Sequence, residues 1–291
     1  MSHHHDHHEL TAGGNRALRA GLVLVLLFAV VEAVGGWWSG SLALLGDAGH
    51  MFSDAVALAV AVLAGRLALQ PPSARHSFGL VRAEVVAALV NGLFMLLVVS
   101  SIVYHAIQRL QQPQPVAGGM VMAIAAVGLV INIVVALRLH RGEQTLNVRA
   151  ALLHVLGDLL GSVAALVAGL VILLTGWWPI DPILSLLICV LILISSLRLL
   201  RDVLHVIMQG VPAGIELAEV ERTMLGVAGV TSIHDLHIWT LASGQVVLSA
   251  HVVMEELPRW EMVLAELRQC LEQHYGIRHV TLQPEAALVC P

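Results

Sequence analysis

Two histidine–aspartate pairs stand in apolar stretches of the sequence at the spacing of one helical turn. His50 precedes Asp54 by four residues, and His154 precedes Asp158 by four. Residues at this spacing share one face of an α-helix, so each pair presents an imidazole and a carboxylate together. An aspartate inside a membrane span costs roughly 2.5–3.5 kcal/mol on insertion scales, and such a residue indicates a function.

The two pairs predict a metal site if their helices face each other. The helices run in opposite directions, which sets His50 level with Asp158 and Asp54 level with His154. Two imidazoles and two carboxylates then converge in a tetrahedral set that suits Zn²⁺. The alternative is that each pair is an internal hydrogen bond that neutralises itself. Small residues beside both pairs favour close packing of the helices: Ala48, Gly49, Ser53, Ala55, Gly157, Gly161, Ser162 and Ala165.

Other polar residues in the same stretches have less specific interpretations. We expect Asp47 to lie at headgroup level near the end of its span, with an outer relay carboxylate as the alternative. Glu32 and Glu84 are nearer helix ends, where an ordinary polar or snorkelling role is expected. Asn132 is expected to hydrogen-bond another helix.

The composition places these residues in a membrane protein. Of the 291 residues 58% are hydrophobic and 12% are charged, whereas a soluble domain is about half apolar and a quarter charged. A soluble helical bundle is the alternative, but it needs polar helix faces that the sequence lacks. A spanning helix needs about 20 apolar residues, and six segments qualify: 17–38, 41–66, 83–107, 117–139, 147–175 and 180–201.

Cysteine and charge counts exclude other classes. Three cysteines without a close pair exclude a disulfide framework or a cysteine-rich zinc module. The net charge of −5 gives no basic footprint for nucleic acid. An intramembrane metalloprotease is disfavoured because the sequence lacks an HExxH motif.

The arginine distribution predicts the orientation. Six spans put both termini on one side, and the positive-inside rule makes that side cytoplasmic, because only Arg109 flanks the opposite side. The arginines on the predicted cytoplasmic side are Arg16, Arg19, Arg66, Arg75, Arg82, Arg138, Arg141, Arg149, Arg198 and Arg201.

The pattern after Gly210-Val211-Pro212 is that of a small soluble fold. Helices are predicted over 213–227 and 259–275, and strands over 230–240, 245–254 and 278–285. This αββαβ order predicts a ferredoxin-like α+β layer. The chain as a whole is therefore predicted to be a mainly α membrane protein with three parts. These are a disordered histidine-rich tail (1–15), a six-helix transmembrane domain (16–210) and a cytoplasmic domain (211–291).

The histidine-rich tail has two interpretations. The run from His3 to His8, interrupted by Asp6, is either an expression tag or a native metal-capturing segment. Its continuation into Glu9 favours the native segment, with a role secondary to transport.

Residues 39–54, SGSLALLGDAGHMFSD, resemble the second-span motif of the cation diffusion facilitator family. The paired HxxxD motifs are similar to the zinc-type subgroup rather than to the all-carboxylate set associated with manganese or iron. Ligand softness agrees, because imidazole moves the preference of an oxygen site toward Zn, Co or Cd. The resemblance runs from about residue 16 to 285, with further matches at Phe78-Gly79, Arg82-Ala83-Glu84, Leu153–Asp158 and His234–Trp239.

The resemblance implies a homodimeric bacterial exporter in the cell membrane, not an enzyme. It would exchange cytoplasmic zinc, cadmium or cobalt for external protons by alternating access, with no organic cofactor. His50 and His154 are the expected coupling groups, because a histidine pKa near 6.5 lies within reach of cellular pH and metal binding displaces protons. A membrane metal sensor that does not transport is the alternative function.

The resemblance also implies a second metal site in the cytoplasmic domain. His234 and His251 fall on metal-binding positions of the family, with Glu285 as a further ligand beside an unusual Pro284; ordinary surface histidines are the alternative. His237, three residues after His234 on a strand, is expected on the opposite face. His76 is a weak candidate, because it is what remains of a histidine cluster that some relatives carry in that loop.

Overall fold

The computed structural model describes residues 12–68, 70–141, 146–242 and 244–286. At residues 12–25, 58, 61–62, 68, 138–141, 146–154 and 156 the description covers the backbone alone. The histidine run of the predicted tail and Ser243 of the predicted hairpin turn lie outside the described residues.

Six long helices correspond to the six predicted spans. They are α1 (Ala12–Ser39), α2 (Leu42–Ala68), α3 (Ala83–Gln111), α4 (Gly118–Arg141), α5 (Leu146–Thr175) and α6 (Ile180–Ile207). Within the described residues, four stretches are long and apolar enough to cross a membrane, namely Ala83–Gln111, Gly118–Leu137, Gly157–Thr175 and Ile180–Ile207. A shorter apolar stretch, Leu26–Ser39, belongs to α1.

The chain forms two compact units. The first, called here the helical unit, comprises residues up to 59 together with 91–197, and the second comprises 60–90 together with the chain from 198 onward. Helices α2, α3 and α6 are each divided between the two units, with one part of the helix in each. Both histidine–aspartate pairs lie in the helical unit, and the predicted cytoplasmic domain lies in the second.

Helices α4 and α5 of the helical unit pack backbone to backbone. A Cβ atom at Gly118 would lie 2.8 Å from the carbonyl oxygen of Gly169, so a larger residue at either position forces the helices apart. Buried apolar side chains of α2 continue this contact, because Ala43 and Leu44 pack with Ala165 and other residues of α4 and α5. Helix α1 packs against α4.

The C-terminal part of the second unit is an α+β layer, as predicted. Its elements are α7 (Leu217–Leu225), β1 (Val230–Ala242), β2 (Gln245–Met254), a 3₁₀ turn (Leu257–Arg259), α8 (Trp260–Tyr275) and β3 (His279–Ala286). The sheet order is β1-β2-β3, with β1 and β2 antiparallel and β2 and β3 parallel. One sheet face packs on α7 and α8 through a core that includes Val220, Leu248, Val252, Leu267 and Leu271.

A β-bulge in β1 overturns the expected facing of His237. The register with β2 shifts between His234 and His237, and Asp235 has a φ of 51°. Because a bulge adds one residue to its strand, positions three apart across it return to the same face. His234 pairs with His251 and His237 with Ser249, both on the sheet face opposite the core. The expectation that His237 points away from His234 was therefore wrong.

Candidate metal centres

Helix α2 brings its histidine–aspartate pair to face α5. The His50 Nε2 atom lies 3.5 Å from Oδ2 of Asp54 and 3.8 Å from Oδ1 of Asp158. The side chain of Asp158 is 8% exposed, while those of His50 and Asp54 are partly exposed. Three of the four predicted ligands thus converge across two helices, within a distance that one ion could bridge.

The fourth predicted ligand, His154, has its side chain outside the described residues. Its backbone belongs to α5, one turn before Asp158. This spacing places both residues on one face of α5, so the backbone is compatible with the four-ligand prediction.

Asp47 is buried at the interface between α2 and α5. It is 3% exposed, and a Cβ atom at Gly161 of α5 would lie 2.9 Å from its Oδ1 atom. Only a glycine therefore leaves room for this carboxylate against α5. The small residues of α5 admit Asp47 to the helix interface, and its expected height near the end of the span stays a prediction.

The start of α2 is anchored from α6 and α3. The Asp181 carboxylate accepts hydrogen bonds from the Ser41 hydroxyl at 2.5 Å and from the Leu42 amide at 2.7 Å. The Arg109 guanidinium donates to the carbonyl oxygen of Gly40. Polar groups of three helices thereby fix where α2 begins, and with it the height of His50.

Two hydrogen bonds between side chains tie the helices around the centre. The Asn132 side-chain amide donates to the Ser162 hydroxyl at 3.1 Å, which confirms that Asn132 bonds another helix. The Ser53 hydroxyl donates to Asn91 Oδ1 at 3.1 Å, joining α2 to α3. Such bonds hold the helices that carry the predicted ligands at fixed positions.

A second cluster lies on the sheet of the C-terminal part. The Glu285 carboxylate on β3 accepts hydrogen bonds from His234 Nε2 at 2.9 Å and from His251 Nδ1 at 2.7 Å. Each of the three offers one ligand atom, and these atoms lie within 4.8 Å of one another. Pro284 sits opposite Val252 on the core face of an edge strand, where a missing N–H is tolerated. The unusual proline therefore does not turn Glu285 away from the histidines.

Hydrogen bonding polarises this cluster. The bond to Glu285 raises the pKa of His234, and the bonds from His234 and then His251 lower the pKa of Glu285. The three groups can hold a proton between them or, once the imidazoles are neutral, can offer two nitrogens and a carboxylate to a divalent ion.

His76 is a member of neither cluster. It is exposed in the loop before α3, where its backbone exchanges hydrogen bonds with Ser73. It lines an open cavity of about 810 Å³ together with apolar residues such as Phe78 and Trp239. Within the described residues it belongs to no group of three or more metal-binding side chains.

The sequence indicated neither the burial of Glu32 nor the capping role of Asp181. Glu32 was assigned an ordinary polar role near a helix end, yet it is 0% exposed in the helical unit. Asp181 received no assignment from the sequence, yet its carboxylate anchors α2. Isolation in an apolar segment was the available signal for Asp181, because a buried charge needs a partner.

Two family models match the chain. Residues 18–208 match the model described as the cation efflux transmembrane domain, and residues 212–287 match that of the cation efflux protein, cytoplasmic domain.

Curated relatives match over almost the whole chain. The "Zinc transporter ZitB" of Escherichia coli (strain K12) is 43% identical over 291 residues, covering 98% of this chain and 93% of the relative. The "Cadmium, cobalt and zinc/H(+)-K(+) antiporter" of Bacillus subtilis (strain 168) is 38% identical over 287 residues, covering 97% and 91%.

Among solved structures, the chain is similar to the metal-bound C-terminal domain of the CzcD transporter from Cupriavidus metallidurans. The sequence identity is 47%, over 24% of this chain and 99% of that chain. The TM-score of 0.24 is too low to support an argument about the fold.

Proposed function

The chain belongs to the cation efflux family, and we propose on that premise that it exports Zn²⁺ from the cytoplasm in exchange for protons. Cd²⁺ and Co²⁺ are proposed as further substrates, because all three ions accept imidazole and carboxylate ligands. The proposed transport site consists of His50, Asp54, His154 and Asp158.

The observation that carries this proposal is the position of His50. Its Nε2 atom faces Asp54 within its own helix and Asp158 across the helix interface, at 3.5 and 3.8 Å. A self-neutralising pair on one helix would not need the carboxylate of α5. The antiparallel helices therefore support a shared ion site rather than two separate hydrogen bonds.

The chemistry of the ligands provides the proton coupling. Zn²⁺ binds neutral imidazole and ionised carboxylate, so protons must leave His50 and His154 before the ion can bind. Protons arriving from outside re-protonate these ligands and release the ion. A histidine changes charge near physiological pH, which lets a modest pH gradient drive the exchange. Alternating access of the site to the two sides would complete the cycle.

The relatives support transport over sensing. The two curated relatives described above are named as a zinc transporter and as a cadmium, cobalt and zinc antiporter. Neither name describes a sensor, so no observation favours the alternative in which the protein binds metal without moving it.

The remaining assignments follow from the family and from the charge pattern. We propose a homodimer in the bacterial cell membrane with both termini in the cytoplasm. The transmembrane domain would comprise residues 16–210 and the cytoplasmic domain 211–291. His234, His251 and Glu285 would bind a second Zn²⁺ in that domain, supported by their mutual distances.

The test is zinc uptake into liposomes that contain the purified full-length protein. Uptake is recorded with an internal zinc indicator, with and without a pH gradient, for the wild type and for Asp158→Ala. Asp202→Ala is the matched control, because it removes an exposed aspartate from the far end of α6. We expect uptake that depends on both the gradient and Asp158.

Either of two results would overturn the proposal. Gradient-independent or absent zinc flux in the wild type would exclude a proton-coupled exporter. Wild-type flux in Asp158→Ala would move the transport site elsewhere. Circular dichroism and size-exclusion profiles equal to those of the wild type would show that the variant remains folded.

A further inference from the structure

An open cavity lies within the second unit, between the end of α2 and the start of α3. Residues of 60–67 on α2 and 83–90 on α3 form its walls, and the loop 70–82 and β1 form its base. All of these residues belong to the second unit. The volume of about 810 Å³ lies in the range of about 300–1,000 Å³ that is typical of small-molecule sites. The lining residues of the described chain include no ligand proposed for either metal centre.

The walls of this cavity are apolar. Leu63 of α2 and Val86 and Val90 of α3 line it, and each is more than half exposed. Each wall runs for roughly 10 Å along its helix, given the helical rise of about 1.5 Å per residue. A groove of this kind accepts the acyl chain of an amphiphile, whereas a polar ligand would lose its hydration there without gaining a hydrogen bond.

The end of the cavity formed by the loop is positively charged. Arg75 and Arg82 line it there, and no acidic side chain is among the described residues of the lining. Neither guanidinium has a hydrogen bond or an ion pair in the described part of the chain. Two cations beside an apolar groove complement an amphiphile with an anionic head, because a guanidinium forms paired hydrogen bonds with the oxygens of a phosphate.

The loop that carries both arginines is held in shape before a ligand binds. Gly79 has a φ of 72°, and a Cβ atom there would lie 3.0 Å from the carbonyl oxygen of Gln70, so the turn requires glycine. The ring of Phe78 meets that of His279 on β3 edge to face, with the ring centroids 5.7 Å apart. The loop is thereby fixed to the sheet, and less conformational entropy is lost when a ligand binds.

The cavity lies where two membrane spans meet the membrane surface. Both of its walls belong to residues 18–208, which match the transmembrane domain of the family. The loop joins two consecutive spans, so its arginines lie at the bilayer surface and the apolar walls continue toward the bilayer interior. A phospholipid presents its charged head and its apolar chains in this same order. Basic pockets between spans bind the heads of anionic phospholipids in other membrane proteins.

We propose that this cavity binds one anionic phospholipid, with the phosphate between Arg75 and Arg82 and one acyl chain between α2 and α3. The inference depends on the chain spanning a membrane and is independent of whether the protein exports zinc. A peptide is a poorer occupant, because the walls offer its backbone N–H and C=O groups no hydrogen-bond partners. The bound lipid would also restrain α2, the helix that carries His50 and Asp54.

The test compares lipids that differ only in the head group. Full-length protein is delipidated in detergent and titrated with phosphatidylglycerol or with phosphatidylcholine of the same acyl chains, and bound lipid is counted by native mass spectrometry. We expect one phosphatidylglycerol per chain to bind the wild type, at least about tenfold more tightly than phosphatidylcholine. Glycerol 3-phosphate, which has the phosphate without the chains, should not displace it.

Removal of two positive charges separates this cavity from general attraction to the protein surface. Arg75→Gln/Arg82→Gln should weaken phosphatidylglycerol binding about tenfold or more, because each arginine near an anionic head contributes to binding. Arg198→Gln/Arg201→Gln is the matched control, since it removes the same charge from exposed positions on α6 that are outside the lining. The control should keep the wild-type affinity.

Three results would overturn the inference and leave the export proposal intact. They are equal binding of the two lipids, equal loss of affinity in the two double variants, and displacement of the lipid by glycerol 3-phosphate. Zinc uptake that ignores the pH gradient would instead overturn the export proposal and leave lipid binding unaffected. The two failures are therefore distinguishable.

A second measurement locates the lipid and covers the case in which Arg75→Gln/Arg82→Gln does not fold. Trp239 lines the cavity from β1, so bromine atoms on the chains of bound phosphatidylglycerol should quench its fluorescence. We expect Trp239→Phe to remove a quenched component of the emission. Trp260→Phe, a change on α8 outside the lining, is the control and should leave that component in place. Equal quenching in the wild type and Trp239→Phe would contradict the proposal, and it is the result expected if a second copy of the chain covers the cavity.

Discussion

The carboxylate of Asp181 on α6 caps the first turn of α2 through the backbone amide of Leu42. Its Oδ2 atom accepts this amide proton at 2.7 Å, and its Oδ1 atom accepts the Ser41 hydroxyl at 2.5 Å. A residue 139 positions away in sequence thus supplies the N-terminal cap of the helix that carries His50 and Asp54. The cap fixes the residue at which α2 begins, and with it the position of His50 and Asp54 along the helix axis.

Replacement of Asp181 by alanine should weaken zinc binding without touching a ligand. Loss of a helix cap costs about 0.5–2 kcal/mol, and the Ser41 hydroxyl would lose its buried acceptor. We expect a lower melting temperature in detergent and a weaker zinc affinity by calorimetry. Ser185→Ala is the control, because that hydroxyl donates only to the Asp181 backbone carbonyl. Wild-type melting and affinity in Asp181→Ala would contradict the anchoring role.

Two glycines of α5 offer a matched pair of substitutions. A Cβ atom at Gly161 would lie 2.9 Å from Asp47 Oδ1, whereas one at Gly157 would meet no atom of the described residues within 4 Å. Gly161→Ala should therefore displace the buried carboxylate and cost roughly 1–3 kcal/mol, as overpacking does. Gly157→Ala should be neutral or stabilising by up to about 1 kcal/mol from helix propensity. Thermal melting of both variants checks this, and equal effects would show that Gly161 does not accommodate Asp47.

The helices and strands could be predicted from the sequence because their signals are local. Long apolar runs end at turn residues such as Gly40, with its φ of 71°, and two strands alternate on either side of a hairpin. The i, i+4 spacing of His50 and Asp54 likewise places both on one face whatever the tertiary fold. These features depend on neighbours within a few residues.

The remaining features depend on contacts between distant segments. No local signal distinguishes Asp47 at a helix end from Asp47 packed on Gly161, because the difference lies in α5. The bulge at Asp235, which returns His237 to the face of His234, depends on pairing with β2. Burial of Glu32 similarly follows from the packing of α1 on α4 at Gly128.

Exchange of His50 for aspartate should change metal preference. The variant would replace an imidazole between Asp54 and Asp158 by a third carboxylate, and oxygen ligands favour harder ions. We expect the ratio of zinc to manganese uptake in liposomes to fall by at least about tenfold, which corresponds to roughly 1.4 kcal/mol of differential binding. His105→Asp, an exposed change on α3, serves as the control. An unchanged ratio in His50→Asp would contradict its assignment as a ligand.

The hydrogen bond between His234 and Glu285 should give the metal-free protein a pH-dependent stability. The bond raises the pKa of His234 above its ordinary 6.5, so its contribution is complete below pH 6.5 and is lost as the pH rises through the raised value. The bond lowers the pKa of Glu285 below 4.5, so that contribution is complete above pH 4.5 and is lost as the pH falls through the lowered value. The contributions of His234 and Glu285 are both complete between pH 4.5 and pH 6.5. In this range Glu285→Gln should lower the melting temperature most, as measured by calorimetry in the presence of a chelator. Glu272→Gln, which breaks a surface pair with Arg278, is the matched control. A penalty for Glu285→Gln that is constant from acid to alkaline pH would contradict the assignment.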